Sequence, residues 1–148
     1  MNYTLKSADK TNFDYLVNCN LDTILKYSND LSKTEIEEIN KYVIENINKE
    51  IDKYQIIYNY DNIIGCLLVK NYKGGKLIDE IYIEEEYRNQ KIGSELIKNI
   101  LKQDTYLWVY KDNKKAINLY KKLDFKIIEE TKTRYFMKWG FEFENKKN

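Results

Sequence analysis

The amino-acid sequence predicts an α/β fold, an α+β-like mixed sheet carrying helices, in the order β-α-α-β-β-β-α-β-α-β-β. Three observations lead there. The apolar residues switch repeatedly between strand alternation and helical spacing. Turn and capping signals fall where the spacing changes. The 148 residues contain no internal repeat, low-complexity tract or Pro/Gly/Ser-rich linker, so residues 1–148 read as one domain with one core.

Each element has its own signature. Residues 1–8 read as a strand, with Tyr3 and Leu5 alternating against polar neighbours. Residues 13–27 form a helix with Leu16, Val17, Leu21, Ile24 and Leu25 on one face. A second helix starts at Ser32, where Ser32 and Glu35 match a capping box. Its Ile36, Ile39, Val43, Ile44, Ile47 and Ile51 recur at helical spacing. Residues 54–60 and 63–70 then read as strands joined by an Asp61-Asn62 turn, and Gly74-Gly75 turns the chain into a strand over 76–83. Helical spacing returns over 92–101, a short strand follows over 105–109, and a helix runs from Asn113 to about Lys122. Strands over 125–130 and 134–139 close the sheet, and a charged tail that frays ends the chain.

Composition excludes several chemistries. There is no histidine, which removes Ser-His-Asp and Cys-His catalysis and His-ligated zinc. Cys19 and Cys66 form no C-x-x-C pair, so they read as two small buried hydrophobes in a reducing compartment. The net charge of +1, from 25 basic and 24 acidic residues, argues against a broad nucleic-acid-binding face. The longest apolar run, 63–69, is interrupted by Gly65 and is too short for a bilayer. The first residues lack the apolar core of a signal peptide, so the expected location is the cytoplasm. Acid–base work falls to carboxylates, tyrosines, lysines or backbone.

The most informative segment is Glu84-Glu85-Glu86-Tyr87-Arg88-Asn89-Gln90-Lys91-Ile92-Gly93-Ser94, between a strand and an amphipathic helix. A helix entrance offers unpaired N–H groups and the positive end of the helix dipole, and a glycine there lets backbone approach a ligand. On its residues alone, the segment reads either as an anion cradle or as a plain strand-to-helix loop. Neither G-x-x-x-x-G-K-[ST] nor G-x-G-x-x-G is present. The acidic run Glu84-Glu85-Glu86 reads as a solvated loop that also draws cations.

Ile81-Tyr82-Ile83 followed by the segment from Glu86 to Ser94 resembles the acetyl-CoA signature of the GNAT superfamily of N-acetyltransferases, Gln/Arg-x-x-Gly-x-Gly/Ala. A second block, Leu107-Trp108-Val109, Asn113, Ala116, Leu119-Tyr120 and Leu123-Asp124-Phe125, resembles the next strand and helix of that family. Lys91 and Asp124 stand where the family has glycine. The resemblance implies transfer of an acetyl group from acetyl-CoA to a primary amine in a ternary complex. No metal, nucleic acid or membrane takes part, and the chain would act as a monomer or homodimer. It implies that backbone of Ile81, Tyr82 and Ile83 pairs with the pantetheine arm. Arg88, Asn89, Gln90, Lys91, Ile92, Gly93 and Ser94 would wrap the pyrophosphate, Asn113 would contact the cofactor, and Tyr120 would protonate the departing thiolate. Strand alternation puts Glu80 and Tyr82 on one face and Asp79, Ile81 and Ile83 on the other. Glu80 is the candidate base or counter-charge for the amine, with Asp79 as its rival. Some relatives that acetylate protein N-termini carry a glutamate where this chain has Trp108, so that role does not transfer. Two other functions stay open at this point: a non-catalytic CoA-binding regulatory module, and acetylation of charged tRNA, which would require a basic acceptor face. The acceptor could be a polyamine, amino sugar, amino acid, peptide N-terminus or lysine side chain.

Overall fold

The computed structural model describes residues 2–140. The strands are β1 (Thr4–Ser7), β2 (Tyr54–Asn59), β3 (Asn62–Tyr72), β4 (Gly75–Ile83), β5 (Thr105–Tyr110), β6 (Lys126–Glu130) and β7 (Arg134–Trp139). The helices are α1 (Phe13–Lys26), α2 (Lys33–Glu50), α3 (Ile92–Ile100) and α4 (Lys114–Lys122). This is the expected order, and the seven strands lie in the sequence β1-β2-β3-β4-β5-β7-β6. The charged tail beyond Gly140 lies outside the described residues.

The described residues form two compact units, 2–67 and 68–140. In the first, β1 pairs antiparallel with β2, Thr4 opposite Tyr58 and Ser7 opposite Gln55. The Ser32 hydroxyl accepts the Glu35 N–H and the Glu35 carboxylate accepts the Ser32 N–H, both at 3.1 Å. The expected capping box is therefore complete. The Ser32 N–H, and after it the hydroxyl, hold Glu35 below its ordinary value. This part of the cap is in force above the ordinary carboxylate range and is lost as pH falls through the lowered value.

Burial on the two helices is narrower than the apolar spacing implied. On α1 the buried residues are Leu16 and Cys19, while Leu25 is 40% exposed. On α2 they are Val43, Ile47 and Glu50, and Ile36 and Ile44 face outward. Ile44 lies about 100° around the helix from Val43 and falls outside the face that carries Val43 and Ile47. The first strand is shorter than expected and exposed throughout, Leu5 included. Among the described residues it is the outermost strand at one margin, and β6, equally exposed, is outermost at the other. Both hairpin turns sit one residue earlier than their turn dipeptides suggested. Tyr60 takes the left-handed conformation in one, and Lys73 and Gly74 take it in the other.

In the second unit β4 runs parallel to β5, and β7 pairs antiparallel with both β5 and β6. Helix α4 ends in a Schellman motif: the Phe125 N–H reaches the Tyr120 carbonyl and the Asp124 N–H the Lys121 carbonyl, both at 3.0 Å. The Tyr120 and Phe125 rings close the motif at 5.8 Å. Asp124 occupies the left-handed position, φ 73°, where a Cβ is costly, and it sets a carboxylate at the negative end of the helix. The glycine that Asp124 replaces is therefore a turn position. Asp124→Gly is expected to stabilise the protein by about 1 kcal/mol, read as a Tm increase of roughly 2–4 °C by calorimetry.

Candidate active site

The site begins where two parallel strands stop pairing. β4 and β5 are in register at Lys76↔Thr105, Leu77↔Tyr106 and Ile78↔Leu107. Beyond that ladder β4 continues to Ile83 and β5 to Tyr110. The β5-facing edge of β4 from Asp79 on is thus left for another extended partner, as strand addition requires. Ile81, Tyr82 and Ile83 lie on this stretch. All three are half-buried, so the expected two-faced alternation is not visible in their burial.

A single 3₁₀ turn, Glu85–Tyr87, carries the chain from β4 toward α3. Arg88 folds back from it: its Nε donates to the Ile83 carbonyl at 2.6 Å, and its guanidinium lies 5.4 Å from the Tyr82 ring centre. The sequence signature implied that Arg88 opens the loop, and the structure shows it also tying the loop to the strand end. Gln90 Nε2 holds the Glu86 carbonyl at 3.1 Å. Asn89 and Lys91 both take left-handed backbone, φ 65° and 67°, a conformation that costs an ordinary residue about 1–2 kcal/mol. Lys91 therefore keeps the backbone shape that a glycine would take there without strain.

Lys91 is the N-cap of α3 and supplies no side-chain cap. The first bond of the helix, Glu95 N–H to Lys91 carbonyl, is 3.0 Å long. The N–H groups of Ile92, Gly93 and Ser94 precede that ladder and carry the positive end of the dipole. A Cβ on Gly93 would meet only the Ile83 side-chain tip, at 3.4 Å. The fold itself thus leaves room there for alanine.

The other expected site residues divide. Asn113 caps α4, its Oδ1 accepting the Ala116 N–H at 3.3 Å, so it has a structural duty the signature did not reveal. Tyr120 is buried on α4. Glu80 is half-buried on β4. Asp79 is paired with Lys70 at 3.1 Å, which gives the rival carboxylate a cation of its own. Trp108 is the first β5 residue past the ladder and is 37% exposed. Among the described residues no group of His, Cys, Asp and Glu is placed to hold a metal, and no helix is long and apolar enough to cross a membrane.

A family model described as "Acetyltransferase (GNAT) domain" matches residues 50–127, more than half of the chain and the whole stretch from β2 to the start of β6. The chain therefore belongs to the GNAT acetyltransferase family. Its fold is shared with solved N-acetyltransferases at low identity. The PaiA N-acetyltransferase of Thermoplasma acidophilum, solved with coenzyme A, superposes with a TM-score of 0.75 at 19% identity, covering 95% of this chain and 100% of that one. Naa50 of Arabidopsis thaliana, solved with the bisubstrate analogue CoA-Ac-MVNAL, gives 0.64 at 21%, with coverage of 95% and 100%. An N-acetyltransferase of Staphylococcus aureus Mu50 gives 0.71 at 11%, with coverage of 92% and 100%. A search of curated proteins gives no match.

Proposed function

We propose that this chain moves an acetyl group from acetyl-CoA directly to a primary amine, working in the cytoplasm as one acetyltransferase domain. The observation that carries the reading is the β4–β5 ladder that ends at Ile78 and Leu107 while both strands continue. The pantetheine arm pairs with backbone of Ile81, Tyr82 and Ile83. The pyrophosphate rests on the helix entrance formed by Asn89, Gln90, Lys91, Ile92, Gly93 and Ser94, with Arg88 holding the loop and Asn113 contacting the cofactor. That PaiA and Naa50 were solved with CoA or a CoA conjugate supports this placement.

In the chemical step the neutral amine attacks the thioester carbonyl carbon, and backbone N–H near Ile83 stabilises the developing oxyanion. The nitrogen loses its proton to Glu80, directly or through water. The C–S bond then breaks, and the thiolate takes a proton from the Tyr120 hydroxyl. The products are an amide and CoA, and no covalent enzyme intermediate forms.

The test is thiol release from acetyl-CoA across polyamines, amino sugars, amino acids and peptides. A CoA-binding regulatory module, which the strained Lys91 at the cofactor loop favours, would bind CoA and turn over none of them. Gly93→Ala tests the pyrophosphate site. It is expected to leave Tm unchanged or higher, because alanine suits a helix and the space is present. CoA affinity should fall about tenfold, since the Cβ occupies the path of the phosphates. Unaltered affinity in calorimetric titration would place the pyrophosphate elsewhere.

A further inference from the structure

β4 ends at Ile83 and α3 begins at Ile92. Residues 84–91 therefore join the two elements to which the proposed function assigns the arm and the phosphates of acetyl-CoA. Left free, a loop of that length would let its two ends shift independently. Its carbonyls are accounted for one by one. The Arg88 Nε donates to the Ile83 carbonyl at 2.6 Å and the Tyr87 N–H to the Glu84 carbonyl at 2.8 Å. The Arg88 N–H donates to the Glu85 carbonyl at 3.2 Å and the Gln90 Nε2 to the Glu86 carbonyl at 3.1 Å. Four consecutive carbonyls thus hold donors from residues close ahead in the chain.

The four bonds do different things. Those on Glu84, Glu85 and Glu86 stay inside the loop, and the one from Gln90 is exposed. Of the four, only the bond on Ile83 reaches the strand. It is also the shortest, it is partly buried, and its donor carries a charge, which strengthens it.

The guanidinium is held from a second direction as well, 5.4 Å from the Tyr82 ring centre. The last two residues of β4 therefore grip one side chain. A peptide group is planar, so a donor fixed on the Ile83 oxygen sets the orientation of the whole peptide that ends the strand. The sequence signature places Arg88 among the residues that wrap the pyrophosphate. A phosphate contact would require neither the tie to Ile83 nor the seat on Tyr82.

We infer that Arg88 is a positioning residue for acetyl transfer. It holds the end of β4 against the loop, so that the arm presents its thioester in register while the phosphates rest on α3. The inference rests on the acetyl-transfer reading above, and it assigns the Arg88 side chain to the strand end rather than to the pyrophosphate. A misplacement of about 1 Å is enough to slow a reaction by about a hundredfold. The tie therefore matters to turnover more than to affinity.

The experiment compares the parent with Arg88→Met, which keeps an unbranched stem and loses the donor and the charge, and with Arg88→Lys, whose ammonium can still reach a carbonyl. Three quantities are measured on each preparation. One is kcat at saturating acetyl-CoA, with whichever amine of the panel the parent acetylates fastest. The others are the affinities for CoA and for ADP, which carries the pyrophosphate without the arm. In Arg88→Met, kcat is expected to fall about tenfold or more, with CoA affinity within about threefold and ADP affinity within about twofold of the parent. Arg88→Lys should recover part of kcat. An ADP affinity that falls about tenfold in Arg88→Met marks a direct phosphate contact and would overturn the inference. So would parental kcat in that variant. Should Arg88→Met fail to fold, Arg88→Lys decides: a reduced kcat with parental ADP affinity supports the inference, and parental kcat overturns it. Each of these failures leaves acetyl transfer standing. A parent that binds CoA and acetylates no amine would overturn the acetyl-transfer reading and this inference with it.

Discussion

Tyr120→Phe is expected to lower kcat about a hundredfold, the low end of what general acid catalysis contributes. The low end is expected because a thiolate is a good leaving group and needs protonation less than an alkoxide does. The change removes one hydroxyl from a residue only 7% exposed on α4. The ring stays, with its contact to Phe125, and so does the backbone bond between the Tyr120 carbonyl and the Phe125 N–H. The Schellman motif should therefore survive. Acetyl-CoA affinity should change much less than kcat, as for an interaction made mainly in the transition state. With 14 tyrosines in the chain, a structural role is the competing account. It predicts parental kcat with a lower Tm. Measuring kcat, cofactor affinity and Tm on one preparation separates the two.

Gly75→Ala is expected to have the largest effect on stability, a loss of about 3 kcal/mol in urea unfolding. A Cβ at this position would overlap the backbone carbonyl oxygen of Asp104. That carbonyl cannot move away, because it accepts the Lys76 N–H at 2.8 Å beside the first register pair, Lys76↔Thr105. Overpacking into a flexible side chain can relax, but two backbones this close cannot. The strain falls on a ladder of three register pairs, so CoA binding should weaken along with stability. A variant with parental stability would show that β4 can shift away from Asp104 without loss.

Most of the element order was legible in the residues because it depends on local regularities. Helical spacing of apolar side chains marks α3 around Ile92, Leu96 and Ile97, and the Ser32–Glu35 pair marks the start of α2. Each is a relation between residues a few positions apart, set by the helix repeat and by the reach of a capping side chain. The start of α3 beside Gly93 was legible for the same reason. The reading was less good where burial depends on which strand is outermost. Leu5 and the isoleucines of β6 have strand-like patterns, yet among the described residues no strand covers β1 or β6 on its outer side.

The two glycines after β3 show the boundary most clearly. As a dipeptide, Gly74-Gly75 signals a turn, and the residues alone determine that the chain reverses there. Only the tertiary structure separates their reasons: Gly74 supplies a left-handed φ of 79°, while Gly75 admits a backbone that arrives from Asp104. The handedness of Lys91, the tie from Arg88 to the Ile83 carbonyl and the parting of β4 from β5 after Ile78 likewise emerge only from the fold. So does the seating of Arg134 over Trp108 and Tyr110, residues more than twenty positions away in the chain. The sequence by itself determined the order of elements, because local periodicity and capping need only neighbours. The tertiary structure alone decided which backbones approach and which distant side chains come to lie over one another. Those outcomes depend on strand register, which no local pattern encodes.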